Sequence, residues 1–505
     1  MEDKVLLAVL VSVLLVVLTK LRSRLAAKPK LNLPPGPSTL PLIGSIHHLV
    51  SSPSIYRAMQ GLAKKHGPVM MLRLGEVPAV IMSSPEAARE VMKTNDVTFA
   101  DRHMNATIGA LTFHGEDLVF APYGERWRQL RKICTLELLS AARVLSFRRI
   151  REEEVARVVR GLAASAAGGA AVDLTKTISR FVNDTFVREA AGSMSRASQE
   201  EFLESFSAAV RQTSVLTVAD LFPSSRLMQL LGTAPRKALA CRRKIERVLD
   251  DVIRNKKEEM SRGDPAASEG FLGVLLSLQR EGGTATPLTD ETIVTVMFDM
   301  YGAGSETSST LLNWCMTALV RSPAVMAKAQ AEVREAFMGK STITEADIEG
   351  LSYLKMVIKE TLRLYTPVPL LLPRMARETC QVMGYDIPKG TVVFTNVWSI
   401  CRDPKYWDDP EEYRPERFEN SNIDYKGTNY EFLPFGSGRR ICPGVTIGVT
   451  NIELALASFL YHFDWKLPDG MEAKDVDVCE AAGMIASKKT NLVLHPVARI
   501  PPAMV

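Results

Sequence analysis

The ten residues from Phe435 to Gly444 read Phe-Gly-Ser-Gly-Arg-Arg-Ile-Cys-Pro-Gly and hold the types a metal-binding thiolate needs. Glycines at 436 and 438 let the backbone turn tightly and pass close to a bulky partner. The stretch after Cys442 reads as a helix, with Pro443 suited to its first turn and apolar residues at Ile447, Ile452, Leu454, Leu456 and Leu460. A thiol at a helix N-terminus beside Arg439 and Arg440 is expected to be acidified, and the thiolate is the form that binds metal. One such thiolate on a glycine-shaped loop suits the axial ligand of a haem iron, where electron-rich sulfur favours O–O cleavage. Taken alone, Cys442 reads equally well as a buried structural cysteine. The spacing Phe-x-x-Gly-x-Arg-x-Cys-x-Gly, filled at Phe435, Gly438, Arg440, Cys442 and Gly444, argues against that.

An element that could face this loop is the segment from about Asp290 to Arg321. Thr289 or Asp290 can cap it and Ser322-Pro323 can stop it. Few charges lie between, so the helix is expected to be buried on most sides. Gly302 and Gly304 each cost about 1 kcal/mol relative to alanine inside a helix. The segment also carries Glu306 and the hydroxyl run Thr307-Ser308-Ser309-Thr310, whose hydroxyls can bond back to earlier carbonyls and bend it. A local rule broken this often in a core helix points to a functional groove, although a satisfied polar kink is the alternative. Gly302–Thr307 is not a dinucleotide-binding loop, because Thr307 occupies the last glycine position.

The cysteine segment resembles the haem-binding loop of the cytochrome P-450 superfamily, and four further marks of that family follow the expected order. Glu360-Thr361-Leu362-Arg363 puts a carboxylate and a guanidinium on one helix face. Pro415-Glu416-Arg417-Phe418 resembles the family's later arginine motif, whose Arg417 would join Glu360 and Arg363. Ala303-Gly304-Ser305-Glu306-Thr307 resembles its oxygen-activation signature, although the family more often has Asp where this chain has Glu306. Trp127 and Arg131, four apart on an expected helix, resemble the pair that faces a haem propionate. The resemblance runs from about Leu33 to the C-terminus. It implies haem b on Cys442 as the iron ligand, with Phe435, Gly438, Trp127, Arg131, Arg374 and Arg440 binding the cofactor. It further implies Thr307 and Glu306 as catalytic residues that deliver protons, with small residues making room for dioxygen and substrate. Glu360, Arg363 and Arg417 would hold the cysteine loop. Basic residues near it, Arg128, Lys132 and Arg439, could form a docking face for an acidic electron donor.

The implied fold is mainly α with small β-sheets, near residues 69–83 and 380–397. Val69–Leu74, Ala79–Met82 and Val392–Val397 read as strands. Substrate contacts would come from 101–120, 202–215, 298–306, 366–372 and 482–486. Phe113, Val119, Phe206, Leu216, Val368, Leu370 and Ile485 would make that pocket apolar.

The 505 residues carry a net charge of +5 with no run of basic and aromatic residues, which gives no support to nucleic-acid binding. Seven scattered cysteines without a Cys-x-x-Cys argue for a reducing compartment and against a disulfide framework or structural zinc. No His-Glu-x-x-His supports metal hydrolysis. Val5–Leu18 is apolar apart from Ser12, and Lys20, Arg22, Arg24, Lys28 and Lys30 follow it. We read residues 1–27 as a membrane anchor with a basic flank, against the alternative of a cleaved signal. Residues 28–41, with Pro34-Pro35-Gly36-Pro37, read as a stiff hinge, and 42–505 as one catalytic domain. The positive-inside rule puts that domain in the cytosol, on the endoplasmic-reticulum membrane.

The expected activity is insertion of one oxygen atom from O2 into a lipophilic molecule. The chain resembles the plant microsomal oxidases of specialised metabolism, with a terpenoid, such as a diterpenoid, as the first substrate guess. No flavin or NADPH segment is visible, so NADPH would act through NADPH-cytochrome P-450 reductase, with cytochrome b5 as a further partner. The alternatives are a haem-thiolate isomerase or lyase that rearranges a peroxide, a phenolic or fatty-acid hydroxylase, and a tethered haem-binding scaffold.

Overall fold

The computed structural model describes residues 31–501, apart from 51, 53, 114, 193, 214–216, 265–267 and 283–286. The expected anchor and residues 28–30 of the expected hinge therefore lie outside the described residues. Among the described residues, no helix is long and apolar enough to cross a membrane.

A 32-residue helix, Asp290–Arg321, runs through the molecule and is buried along most of its length. At about 1.5 Å per residue it spans roughly 48 Å. Its limits are those the sequence marks. The Thr289 hydroxyl accepts from the Thr292 amide at 3.2 Å, Asp290 and Glu291 complement the N-terminal dipole, and the helix stops at Ser322, before Pro323 opens the next one. Helices Leu174–Ala191, Ser352–Leu364 and Val445–His462 pack against it.

Gly302 and Gly304 have a packing role that the sequence alone does not reveal. A Cβ on Gly302 would lie 2.3 Å from the Phe206 ring, and one on Gly304 would lie 2.0 Å from the Phe186 ring. The space read as room for dioxygen is filled at these two positions by aromatic rings from helices Arg196–Thr213 and Leu174–Ala191. Phe206 also stands 5.3 Å from Phe298 and 5.8 Å from Tyr301, ring centre to ring centre. The glycines let three helices close on one another.

Both expected strand regions join one five-stranded sheet in the order β1-β2-β8-β5-β3. Here β1 is Val69–Leu74, β2 Val77–Met82, β3 Asp101–Arg102, β5 Arg374–Met375 and β8 Val392–Thr395. β1 and β2 form a hairpin from Val69 opposite Met82 to Leu74 opposite Val77. β2 then runs parallel to β8, with Ala79 beside Val392 and Met82 beside Thr395. β8 is shorter than expected: Asn396 caps a helical turn, Val397–Ile400, by accepting from the Ser399 amide. Cys380–Val382 (β6) and Tyr385–Ile387 (β7) make a separate hairpin. A third sheet has no counterpart in the sequence reading. It joins Val172–Asp173 (β4), Val493–Ala498 (β10) and Phe463–Lys466 (β9).

The described part of the proline segment is docked rather than free-standing. The Met71 amide of β1 donates to Pro35 O at 2.8 Å. A Cβ on Gly36 would lie 2.0 Å from Met71 O, so only glycine admits this approach. Asn32 bonds Asp386 and Gly384, clipping the chain to the β6–β7 hairpin.

Gly304→Ala should gain about 1 kcal/mol of helix propensity and lose more by overpacking, for a net loss of about 1–2 kcal/mol. Thermal unfolding measures it. In a Phe186→Leu background the loss should shrink, and a cost independent of Phe186 would show that the ring does not set it.

Candidate functional site

The cysteine loop is held open by its neighbours. Gly436 and Gly438 take φ of 71° and 70°, where a side chain is strained. Gly438 also lies so close to the turn at 90–94 that a Cβ would be 2.2 Å from Met92 O. The Cys442 amide closes the loop by donating to Phe435 O at 3.0 Å. The helix begins at Val445, so Pro443 precedes it rather than filling its first turn. The flanking arginines turn away from the sulfur. Arg439 reaches Asp96 at 2.9 Å and Tyr123 at 3.3 Å, and Arg440 bonds the carbonyls of Ala100, Leu118 and Ala121. Burial pushes the Cys442 thiol up, against the Gly444 amide and the charge of Arg131, which lower it. Acidification by Arg439 and Arg440, expected from their adjacency, is therefore absent, because desolvation outweighs the nearby positive groups. A metal on the sulfur would supply the deprotonation that the surroundings do not.

Buried positive charge gathers beside this loop. The sheet register sets Arg102 of β3 directly opposite Arg374 of β5, a like-charge pair that destabilises a bare sheet. Arg102 donates to Leu372 O at 2.6 Å and Val119 O at 3.3 Å. Its pKa is held well down, first by burial and then by Arg374, Arg440 and Arg131. Arg440 is lowered to about 10, again by burial first and by Arg374 next. Arg374 pairs with Asp96 at 3.1 Å and donates to Ser437 O at 2.8 Å. The side chain of Arg131 has no hydrogen-bond partner among the described residues. Asp96 is shared with Arg439, so four guanidinium groups face a deficit of negative charge. A ligand bearing two carboxylates beside an iron fits that deficit, as the propionates of haem would.

Of the expected propionate partners, Arg131, Arg374 and Arg440 thus fall in one cluster. Trp127 differs: its indole N–H donates to Leu118 O at 3.1 Å, and its ring lies 4.4 Å from the Arg440 guanidinium. In this structure it supports Arg440 and presents no free N–H. Arg102 is a member that the sequence reading missed. It belongs to no helical pattern, and only the β3–β5 register brings it to Arg374.

Behind the loop, Glu360 and Arg363 have no solvent exposure. Arg363 meets the Glu360 carboxylate at 2.7 and 2.8 Å and donates to the carbonyls of Cys401, Pro410 and Glu412. Arg417 reaches Glu360 at 3.0 Å, and the same carboxylate accepts from the Arg414 amide at 2.8 Å. The three motif residues expected to cluster do so.

On the central helix, one turn stands apart from its buried surroundings. Ala303 is exposed, and Thr307, on the same face, is half-buried. The Thr307 hydroxyl donates to Ala303 O at 2.6 Å. Burial pushes the Glu306 carboxyl up, moderated by Arg211. This turn can hold a small polar guest beside a hydroxyl and a weak acid.

Two of the expected substrate segments meet: the Ala486 amide donates to Pro367 O, and the Trp314 indole to Ala486 O, each at 2.8 Å. Phe113 is half-buried at φ 53° under the Arg242 guanidinium, whose centre is 4.6 Å from the ring. Phe206 is committed to packing on Gly302, and Leu216 lies outside the described residues.

Residues 34–494 match the family model described as Cytochrome P450. The chain is 64% identical over 504 residues to dolabradiene monooxygenase of Zea mays, covering 99% of each chain. It is 58% identical over 515 residues to ent-cassadiene hydroxylase of Oryza sativa subsp. japonica, covering 100% of this chain and 99% of that one. A solved zebra fish cytochrome P450 with abiraterone superposes with a TM-score of 0.74 over 88% of this chain and 99% of the other, at 24% identity. That likeness shows the fold.

Breaking one side of a buried ion pair costs about 3–5 kcal/mol. Arg363→Ala should therefore yield little haem-loaded protein, read as haem absorbance per unit of purified protein. Wild-type haem content with lost turnover would make Arg363 a participant in the chemistry rather than a support.

Proposed function

The chain belongs to the cytochrome P450 family, and from that membership we propose that it hydroxylates a terpenoid, in the first instance a diterpenoid, using haem b held by Cys442. The enzyme is a monooxygenase with haem as its cofactor, a lipophilic substrate and a redox partner. The substrate class is supported by the relatives that act, by name, on dolabradiene, ent-cassadiene and ent-isokaurene. The observation that carries the reading is the pairing of a half-buried thiol with four guanidinium groups short of anions.

Haem, when bound, supplies the reduction of dioxygen and the transfer of one oxygen atom to carbon. Cys442 would give the iron an electron-rich sulfur ligand. Arg102, Arg131, Arg374 and Arg440 would neutralise the propionates, with Trp127 bracing Arg440, and Phe435 and Gly438 would shape the loop. The open face at Ala303 leaves room for the reacting atoms. Glu306 is biased by burial toward its protonated form, so it can give a proton and recover one. The Thr307 hydroxyl can release Ala303 O and hold that proton at the reacting oxygen. Retention of both groups favours oxygenation over peroxide rearrangement.

Electrons would come from NADPH through NADPH-cytochrome P-450 reductase, with cytochrome b5 as a second donor. Arg128 and Lys132 are exposed, as a docking face for an acidic partner requires. We place the enzyme on the endoplasmic-reticulum membrane with its body in the cytosol, an orientation that a glycan on Asn105 or Asn183 in the natural host would contradict.

Cys442→Ser should abolish the red-shifted band of the reduced carbonyl complex, and a wild-type band would rule the ligand out. Thr307→Ala should bind haem and substrate nearly as wild type while its product per NADPH falls severalfold and hydrogen peroxide rises. Turnover of diterpene olefins with reductase measures that ratio, and an unchanged ratio would leave Thr307 a helix-shaping residue.

A further inference from the structure

Two carboxyl groups are buried between the central helix and the loop that precedes helix Glu125–Ile133. Asp117 has no exposure and Asp299 is 4% exposed. Asp299 lies one turn before Ala303, and its Oδ2 accepts from the Leu118 amide at 2.7 Å, so the chain itself holds Asp117 beside it. Asp117 Oδ1 accepts from the Phe120 amide at 2.9 Å, whereas its Oδ2 is buried with no hydrogen-bond partner among the described residues. Two ionised carboxylates in such a place repel each other and leave that oxygen unsatisfied. A proton between them removes both costs.

The loop these acids secure supplies the acceptors for the arginine cluster. Leu118 O takes Trp127 and Arg440, Val119 O takes Arg102, and Ala121 O takes Arg440. We infer that Asp117 and Asp299 form an acid pair holding one proton, which fixes residues 117–121 on the central helix and thereby positions Arg102, Arg440 and Trp127 for the haem. In the pair, one carboxyl O–H donates to the other carboxylate, and no outside reactant takes part. Both acids act through the loop and are positioning residues. The haem clause rests on the proposed function, whereas the proton sharing does not.

Burial raises Asp117 to about 7, against the amides of Phe120 and Ala121 and the charge of Arg440. It raises Asp299 as well, with the Asp117 charge as the next cause. The other groups facing the pair are Arg102 from β3 and Cys134 from the turn after helix Glu125–Ile133, the latter neutral because burial pushes it up to about 12. Carboxyls whose pKa is raised on folding stabilise the fold at low pH and lose that contribution as pH rises through the folded value. The arginines remain charged across this window, but burial raises Glu189 to about 7 as well, so the pair's share of the loss is the part that replacing one of its acids removes.

The test follows thermal midpoint and retained haem absorbance of the full-length holoprotein from about pH 5 to about pH 8. Wild type should lose both as pH rises toward about 7 and level off above it. Asp117→Asn should match wild type at the acid end and fall less steeply than wild type, because an amide keeps the donor and has no proton to release, while the loss from Glu189 remains. A wild type without this loss, or an Asp117→Asn variant that keeps the wild-type slope, overturns the inference. If Asp117→Asn fails to fold, Asp299→Asn is read in the same way. Failure of both also overturns it, since an amide in one place must stand in for the protonated acid. A drop in midpoint with rising pH that persists in Cys442→Ser protein supports the pair whatever the fate of the haem assignment.

Discussion

Removing a guanidinium from water costs several kcal/mol unless acceptors meet its N–H groups, and this chain repeatedly meets that cost with backbone carbonyls of irregular segments. Arg363 ties down Cys401, Pro410 and Glu412, Arg374 takes Ser437, Arg102 takes Val119 and Leu372, and Arg440 takes Ala100, Leu118 and Ala121. Each bond satisfies a buried charge and fixes a loop that has no ladder of its own. The cysteine loop, the 117–121 loop and the segment before residue 418 are held in this way. The sulfur of Cys442 thus depends for its position on charges that never touch it.

The same device leaves a remainder. At Arg363 and Arg417 the carboxylate of Glu360 pairs directly with both guanidinium groups, and backbone carbonyls take their remaining N–H groups. At Arg102, Arg374 and Arg440 the carbonyls satisfy hydrogen bonds but bring no net charge, Arg131 has no hydrogen-bond partner among the described residues, and of the four only Arg374 has an ion-pair partner there, Asp96, which Arg439 shares. One arginine group is therefore a support and the other a binding site, although both are built from similar parts. A ligand with two carboxylates would stabilise the second group, so cofactor binding and folding of these loops are coupled.

The central helix divides its irregularities between packing and chemistry. Gly302 and Gly304 admit Phe206 and Phe186, which draws neighbouring helices close. Ala303 and Thr307, on another face, remain accessible. Small residues in adjacent positions therefore do opposite things, one set filled by rings and the other left open, because a helix turns each successive residue by about 100°. The buried carboxyl of Asp299, a turn earlier, links this face to the arginine loops.

The motifs were legible from order alone wherever their chemistry is local. The cysteine loop with its glycines, the Glu360–Arg363 spacing on one helix face, and the Thr289 and Ser322 limits of the central helix depend on residues close in sequence. The strands at 69–82 were legible too, because their β-branched and apolar runs are interrupted by a turn. Other features needed the folded chain. Arg102 becomes part of a site only through its register with Arg374, and the third sheet exists only because β10 reaches β4 and β9. Arg439 and Arg440 flank Cys442 in sequence yet turn to other acceptors, while Arg131, from a distant helix, supplies the charge that acts on the sulfur. Sequence determined which groups are present and which share a helix face. Tertiary structure decided their protonation and their partners, because burial and the sign of the nearest charge depend on contacts between segments far apart in the chain.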